Sequence, residues 1–303
     1  MSTTARAASR QGGRRTPSSA HLGSLALTLL VWLGGLACAF PLVWTFISSF
    51  RPDVSFLTSP FTFNPHDLRI ANYQLALAGN ASSSGGSLLV GFKNSFVQVT
   101  IILATTLFFC PLAGYGFAKF RFWGRRGLFG LMMLTLFFVP ITQYIPLLIE
   151  MNNLNWVGTY QALVMPLVIS SLGIFWMTGV ISGVPDELLQ AARVDGGGSF
   201  TVWLRVVMPV IRPALISLAV VTFLGAYNDF FWPLLILPSP EMQTIQVVLQ
   251  LFTTALFNSE TGSASNWGQV LAASSIVFIP TVAFFLALQG FFVRGMLEGS
   301  IKQ

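Results

Sequence analysis

The sequence predicts an all-α polytopic membrane protein with six transmembrane helices, and three observations carry that prediction. Hydrophobic residues make up 54% of the 303-residue chain and charged residues only 9%, far less charge than a soluble surface of this size needs. The apolar residues fall in blocks long enough to cross roughly 30 Å of hydrocarbon, which takes about 20 helical residues. The basic residues lie in short segments between those blocks, so the net charge of +6 reflects topology rather than a nucleic-acid partner.

Residues 1–21 hold Arg6, Arg10, Arg14 and Arg15 among Ser, Thr and Gly, with no acid and no apolar periodicity, and read as a disordered tail. The transmembrane domain covers 22–303, with spans at about 24–49, 93–118, 128–150, 162–183, 213–237 and 268–292. Thirteen of the sixteen Lys and Arg residues lie in the tail, in Lys119 to Arg126, in 184–212 and in the C-terminal segment, whereas 151–161 and 238–267 have none. By the positive-inside rule both termini are expected in the cytoplasm. The tail and the block at 24–40 could instead form a signal peptide, but that block is longer than an ordinary signal sequence. Gly35-Leu36-Ala37-Cys38 has Gly where a lipoprotein cleavage site needs an aliphatic residue, so no cleavage is expected. Cys38 and Cys110 each sit in an apolar block and read as packing residues. Segment 51–91 is long and polar, and its run Asn80 to Ser87 reads as mobile loop.

Segment 184–212 is the most informative stretch. Pro185 suits a first helical turn, Asp186 and Glu187 put negative charge at a helix N-terminus, and Gly196 is a stop signal. The short helix has Leu188, Ala191 and Ala192 at i, i+3 and i+4, a slim apolar face. Gly196-Gly197-Gly198 allows a sharp turn, Ser199 can cap a second helix, and Pro209 and Pro213 are expected to break it before the fifth span. Two readings fit: a surface helix on the bilayer, or a helix–turn–helix knob projecting from it.

Residue order selects between them. Gln190-Ala191-Ala192, Gly196, Val206 and Met208-Pro209 resemble the signature of binding-protein-dependent ABC importer permeases, with Gln for the usual Glu and Met for the usual Leu. Phe40-Pro41-Leu42-Val43-Trp44 with Ser49-Phe50-Arg51, then Tyr115 to Phe122, Asn228-Asp229-Phe230 with Pro233-Leu234, and finally Phe292 to Lys302 resemble in order the smaller permease subunit of the carbohydrate, maltose-transporter class. The resemblance implies a type I ABC importer permease fold in a prokaryotic cell (inner or plasma) membrane. It also implies a second permease subunit, two ATPase subunits, an extracytoplasmic solute-binding protein and a sugar substrate. Glu187, Leu188, Gln190, Ala191, Ala192, Asp195 and Gly196 would then couple the permease to an ATPase groove. Segments 51–91 and 238–267 are the implied docking surfaces for the binding protein, with Phe252 to Trp267 reaching toward its sugar cleft.

The chain has no G-x-x-x-x-G-K-[ST] phosphate loop, so it is expected to be non-catalytic and to hold no cofactor, with ATP and Mg bound by the partner ATPases. His21 and His66 lie in a tail and a loop, without metal-ligand or triad spacing. Asp229 is the one charge well inside a predicted span, where an ionised group costs roughly 2.5–3.5 kcal/mol, and it reads as a structural buried charge. So little buried charge suits a neutral polyol and argues against an ion-coupled secondary transporter. Gln143 and Tyr144, Ser170, Ser171 and Trp176, and Tyr227, Asn228 and Trp232 are candidate pathway groups, able to meet sugar hydroxyls and C–H faces. Interhelical packing would explain the same residues equally well. Pro140 and Pro146 are expected to kink the third span. Glycerol phosphate is the alternative solute.

Overall fold

The computed structural model describes residues 18–52, 68–78, 87–258 and 267–300, with side chains described over 24–52, 68–77, 87–254 and 267–290. Most of the expected tail, most of the Asn80 to Ser87 run and residues 259–266 therefore lie outside the described residues. Those described are helical with short connections and contain no strand. They form two units, 1–48 and 49–303.

The first unit is one apolar helix, α1 (Ser18–Ser48), which begins inside the stretch read as tail. Its Thr28 and Thr45 hydroxyls donate back to the Ser24 and Pro41 carbonyls, the local bond by which a hydroxyl is satisfied in an apolar helix.

The second unit is built on α3 (Leu88–Lys119), preceded by the short α2 (Ala71–Ala78). At 32 residues α3 is about 48 Å long, more than the hydrocarbon thickness. Ser87 caps it by accepting from the Leu89 N–H. It begins five residues before the span read from hydropathy, and Asn94, Ser95 and Gln98 in its first turns are all buried. Along α3 packs α7 (Ser171–Ser182), which with α6 (Tyr160–Val164) forms the fourth span, Tyr160–Ser182. Their approach depends on glycine: a Cβ on Gly114 would lie 2.9 Å from Met177 Cβ, and one on Gly173 would lie 2.8 Å from Cys110 Sγ. Small residues at such crossings let backbones meet where lipid offers no hydrophobic drive. Both cysteines are free.

Two expected spans are broken. The third consists of α4 (Arg125–Thr135) and α5 (Pro140–Asn153), bent by 101°. Pro140 sits in the first turn of α5, where its missing N–H costs nothing, so the break precedes it, and Pro146 lies within continuous helix. The fifth consists of α10 (Arg212–Tyr227) and α11 (Phe231–Ile236), interrupted at Asn228–Phe230. Then α12 (Ile245–Asn258) leads toward the last span, α13 (Trp267–Ser300). Among the described residues four helices are long and apolar enough to cross a membrane, and up to six crossings result if each of two bent pairs, Arg125–Thr135 with Pro140–Asn153 and Ser199–Val210 with Arg212–Tyr227, is one span.

Two apolar cores lie along α3. One gathers Val99, Ile102, Leu163, Phe223, Tyr227, Trp232, Ile236, Ile245 and Val248. The other gathers Cys110, Tyr115, Ile174, Met177, Ile181, Leu189, Val202, Trp203, Val207 and Ile211, and it carries the knob.

Candidate functional site

Segment 184–212 forms two helices, α8 (Asp186–Val194) and α9 (Ser199–Val210). Asp186 and Glu187 occupy the first turn of α8, favourable to its dipole, and Pro185 is the cap residue just before it. At the other end Gly196 takes φ +87°, with its N–H on the Arg193 carbonyl at 3.0 Å and the Gly197 N–H on the Ala192 carbonyl at 2.9 Å. This is a Schellman closure, and only a residue free of Cβ strain enters it cheaply.

The helix faces differ from the expected ones. Leu189, not singled out from the sequence, is the residue α8 buries, and Ala192 also packs against the core. Leu188 is 47% exposed and Val194 87% exposed. Glu187, Gln190, Ala191, Asp195 and Gly196 are exposed as well, so the outer face is Leu188, Ala191 and Asp195. Ser199 does not cap α9; the cap residue is Gly198, with no side-chain bond. Nor does Pro209 break the helix. Residues Trp203–Val207 widen into a π-helical turn in which the Met208 N–H reaches the Trp203 carbonyl, so the chain passes Pro209 and bends by 81° only at Ile211. Trp203 fixes this turn: it is buried, edge-on to Phe108 with ring centroids 5.5 Å apart.

A strut missed from the sequence ties the knob to α3. Lys119 Nζ donates to the Val184 carbonyl at 2.6 Å and to Asp186 Oδ1 at 2.7 Å, the one ion pair found among the described residues. The lysine is the last residue of α3, within the stretch Tyr115 to Phe122, and only tertiary structure reveals its partner.

The candidate pathway residues separate. Tyr227 and Trp232 are core residues whose polar groups are already used: the Tyr227 hydroxyl donates to the Val277 carbonyl at 2.7 Å, and Trp232 Nε1 to the Ala162 carbonyl at 3.2 Å. Ser170 caps α7 by accepting from the Gly173 N–H. The Ser171 and Thr135 hydroxyls are hydrogen-bonded 2.8 Å apart, and Trp176 lines an open apolar groove. Gln143 and Asn228 are exposed and Tyr144 half-buried. Tyr144 packs against Trp232 with ring centroids 5.8 Å apart, and Asn228 Oδ1 accepts from Gln246 Nε2 at 3.4 Å. Asp229 sits at the break before α11, with the Phe230 and Trp232 backbone N–H groups near its carboxylate. Among the residues whose side chains are described, no cluster of His, Cys, Asp or Glu could hold a metal ion.

Broken spans, a glycine-closed knob and a helical bundle define an integral membrane permease. The chain belongs to the family described as binding-protein-dependent transport system inner membrane component, whose model matches residues 111–298. It is 29% identical over 265 residues to the arabinooligosaccharides transport system permease protein AraQ of Halalkalibacterium halodurans, covering 87% of this chain and 91% of that one. It is 32% identical over 273 residues to the sn-glycerol-3-phosphate transport system permease protein UgpE of Yersinia enterocolitica, covering 89% and 94%. Its fold is similar to a chain in the crystal structure of a bacterial ABC transporter involved in the import of the acidic polysaccharide alginate, with TM-score 0.76 and 21% identity over 91% of this chain and 99% of that one.

Proposed function

We propose that this chain is one of two permease subunits of an ATP-driven importer for a sugar or oligosaccharide, that it forms half of the translocation pathway, and that its knob seats in a groove of a separate ATPase subunit. The observation that carries the reading is the closure at Gly196, which holds a short helix with an exposed Leu188–Ala191 face at the end of a rigid core. In this reading the knob and both termini are cytoplasmic, ATP and Mg belong to the two partner ATPases, and an extracytoplasmic binding protein docks on the opposite side. ATP and loaded binding protein act through their differential affinity for the two access states.

Gln143, Tyr144 and Asn228, with Gln246 beside them, are the pathway groups this reading keeps. Asp229, at the break before α11, is read as a structural charge rather than a solute ligand. A second reading, glycerol phosphate as solute, has its own support in the relatives named for sn-glycerol-3-phosphate. Scarcity of buried charge in this chain does not decide between them, because a relative named for a phosphate ester is no more distant than one named for oligosaccharides. Competition of labelled arabinooligosaccharide uptake by glycerol phosphate in the reconstituted transporter separates the two.

Gly196→Pro tests the knob. Proline fixes φ near −65° and restricts Asp195, so α8 should close wrongly while the spans still insert. The expected result is near-normal amounts of the subunit, poor co-purification of the ATPases and at least a tenfold loss of uptake. Normal co-purification and uptake would remove the knob from the coupling role.

A further inference from the structure

The end of α3, its connection to α4 and the first turn of α4 carry four cations, Lys119, Arg121, Arg125 and Arg126, which are engaged very differently. Lys119 is turned inward to Val184 and Asp186. Arg125 uses Nη1 on the Phe120 carbonyl at 3.3 Å and keeps its other donors, since a guanidinium has five N–H groups. Arg126 makes no hydrogen bond or ion pair with the described residues. Both arginines line an open pocket of about 390 Å³ whose other walls are Phe117, Phe129, Gly130 and Thr178.

Two further observations fix the level of this pocket and what adjoins it. Trp123, in the same connection, is 99% exposed, and Phe122 beside it is exposed as well. Aromatic side chains held out at the end of a span belong at the headgroup layer. Phe129 also packs toward Phe175, with ring centroids 6.4 Å apart. Phe175 lines a second open groove of about 490 Å³ with Leu172, Trp176, Gly179 and Val180, all without charge. A cationic pocket at headgroup level therefore continues along α7 into an apolar groove. A free anion would fill the first and leave the second bare; a neutral lipid would fill the second and leave two arginines without a counter-charge.

We infer that the Arg125–Arg126 pocket binds the phosphate headgroup of an anionic phospholipid, with one acyl chain in the groove beside Phe175 and Trp176. The free guanidinium donors meet the phosphate oxygens in charge-assisted bonds, and the headgroup bridges the start of α4 to α7.

The full-length chain, purified in detergent with equal phosphatidylglycerol and phosphatidylcholine, should retain phosphatidylglycerol preferentially in native mass spectrometry. Each arginine near the surface contributes about fivefold to that preference, so Arg125→Gln with Arg126→Gln should reduce it about 25-fold. Arg126→Gln alone, at an exposed position, should reduce it about fivefold and serves if the double variant does not fold. Arg205→Gln removes one exposed charge from the knob and should leave the preference intact. Equal retention of the two lipids by the unaltered chain, or an unchanged preference in the arginine variants, overturns the assignment. So does displacement of the lipid by inorganic phosphate as readily as by short-chain phosphatidylglycerol, since that outcome defines a free-anion site.

Discussion

Around the knob, α3 meets α7, α8 and α9 through close-packed apolar side chains and glycines. Toward its other end, the same helix meets the segment before α12 through buried polar groups. There Asn94 Nδ2 donates to the Glu241 and Gln243 carbonyls, both at 2.9 Å, while its Oδ1 accepts from the Tyr160 hydroxyl at 2.6 Å. Ser95 Oγ accepts from the Ile245 N–H at 2.9 Å. Nearby, the Asn72 amide donates to the Ser49 and Arg51 carbonyls. The difference follows from what each end must hold. The knob end joins helices whose own backbone groups are mostly paired, so apolar shape makes most of the join and the Lys119 strut closes its edge. The far end joins a helix to irregular chain at Glu241–Thr244, whose free carbonyls and N–H groups need partners once buried.

The largest effect should come from filling the glycine crossing. Gly114→Val places a branched Cβ where even one carbon is 2.9 Å from Met177 Cβ and 3.0 Å from the Thr178 nitrogen. Backbone cannot yield as a side chain does, so the cost should reach about 3 kcal/mol, the top of the usual overpacking range. Little monodisperse protein should be recovered. Gly116→Ala, on the same helix with nothing within 4 Å of its Cβ, should behave as the unaltered chain. Equal loss from both would mean that helix propensity, not the crossing, limits α3.

Asn94→Ala should come next. It leaves two carbonyls and a tyrosine hydroxyl without a partner, a loss of about 2 kcal/mol. Hydrogen exchange should rise over residues 241–248 and stay unchanged over 186–210. A uniform rise over both segments would show that the two ends do not stabilise separately.

The same contrast explains what was legible in the sequence. The knob could be read because its signals are local: the acids at 186–187 and the glycine at 196 lie within one short segment, whereas the proline at 209 misled, since the helix runs past it. The polar network could not, because Asn94 and its partner Glu241 stand 147 residues apart and an apolar–polar pattern does not name pairs. The six blocks were legible, and Pro140 and Pro146 marked the third span as bent, but the placing of its break at Leu136–Val139 and the interruption at Asn228–Phe230 were not. Hydropathy is summed over about 19 residues: Leu136–Val139 is itself apolar, and Asn228 and Asp229 are outweighed by the apolar residues around them. Among the pathway candidates, Trp232 and Tyr227 have the composition of ligand-facing residues. Only their bonds to Ala162 and Val277 place them in the core.

The smallest expected effect concerns the strut, and it separates two ways in which that strut could hold the knob. Lys119 is 9% exposed and Asp186 is 68% exposed. An ion pair with so open a partner is screened and contributes only about 0.2–1 kcal/mol. The bond from the same ammonium to the Val184 carbonyl lies inside the core edge, where a lost charged donor costs about 1.5–3 kcal/mol in general and nearer 1.5 at this partly hydrated site. Lys119→Met keeps the packing volume and removes both bonds, whereas Asp186→Asn removes the charge and leaves the carbonyl bond. The first should therefore destabilise the chain in thermal melts of the nanodisc-held protein, and should lower ATPase stimulation by loaded binding protein more than it lowers ATPase co-purification. The second should shift the melt by less than half as much and leave stimulation near normal. Equal effects from the two substitutions would mean that the exposed ion pair, not the bond to Val184, fixes α8 to the end of α3.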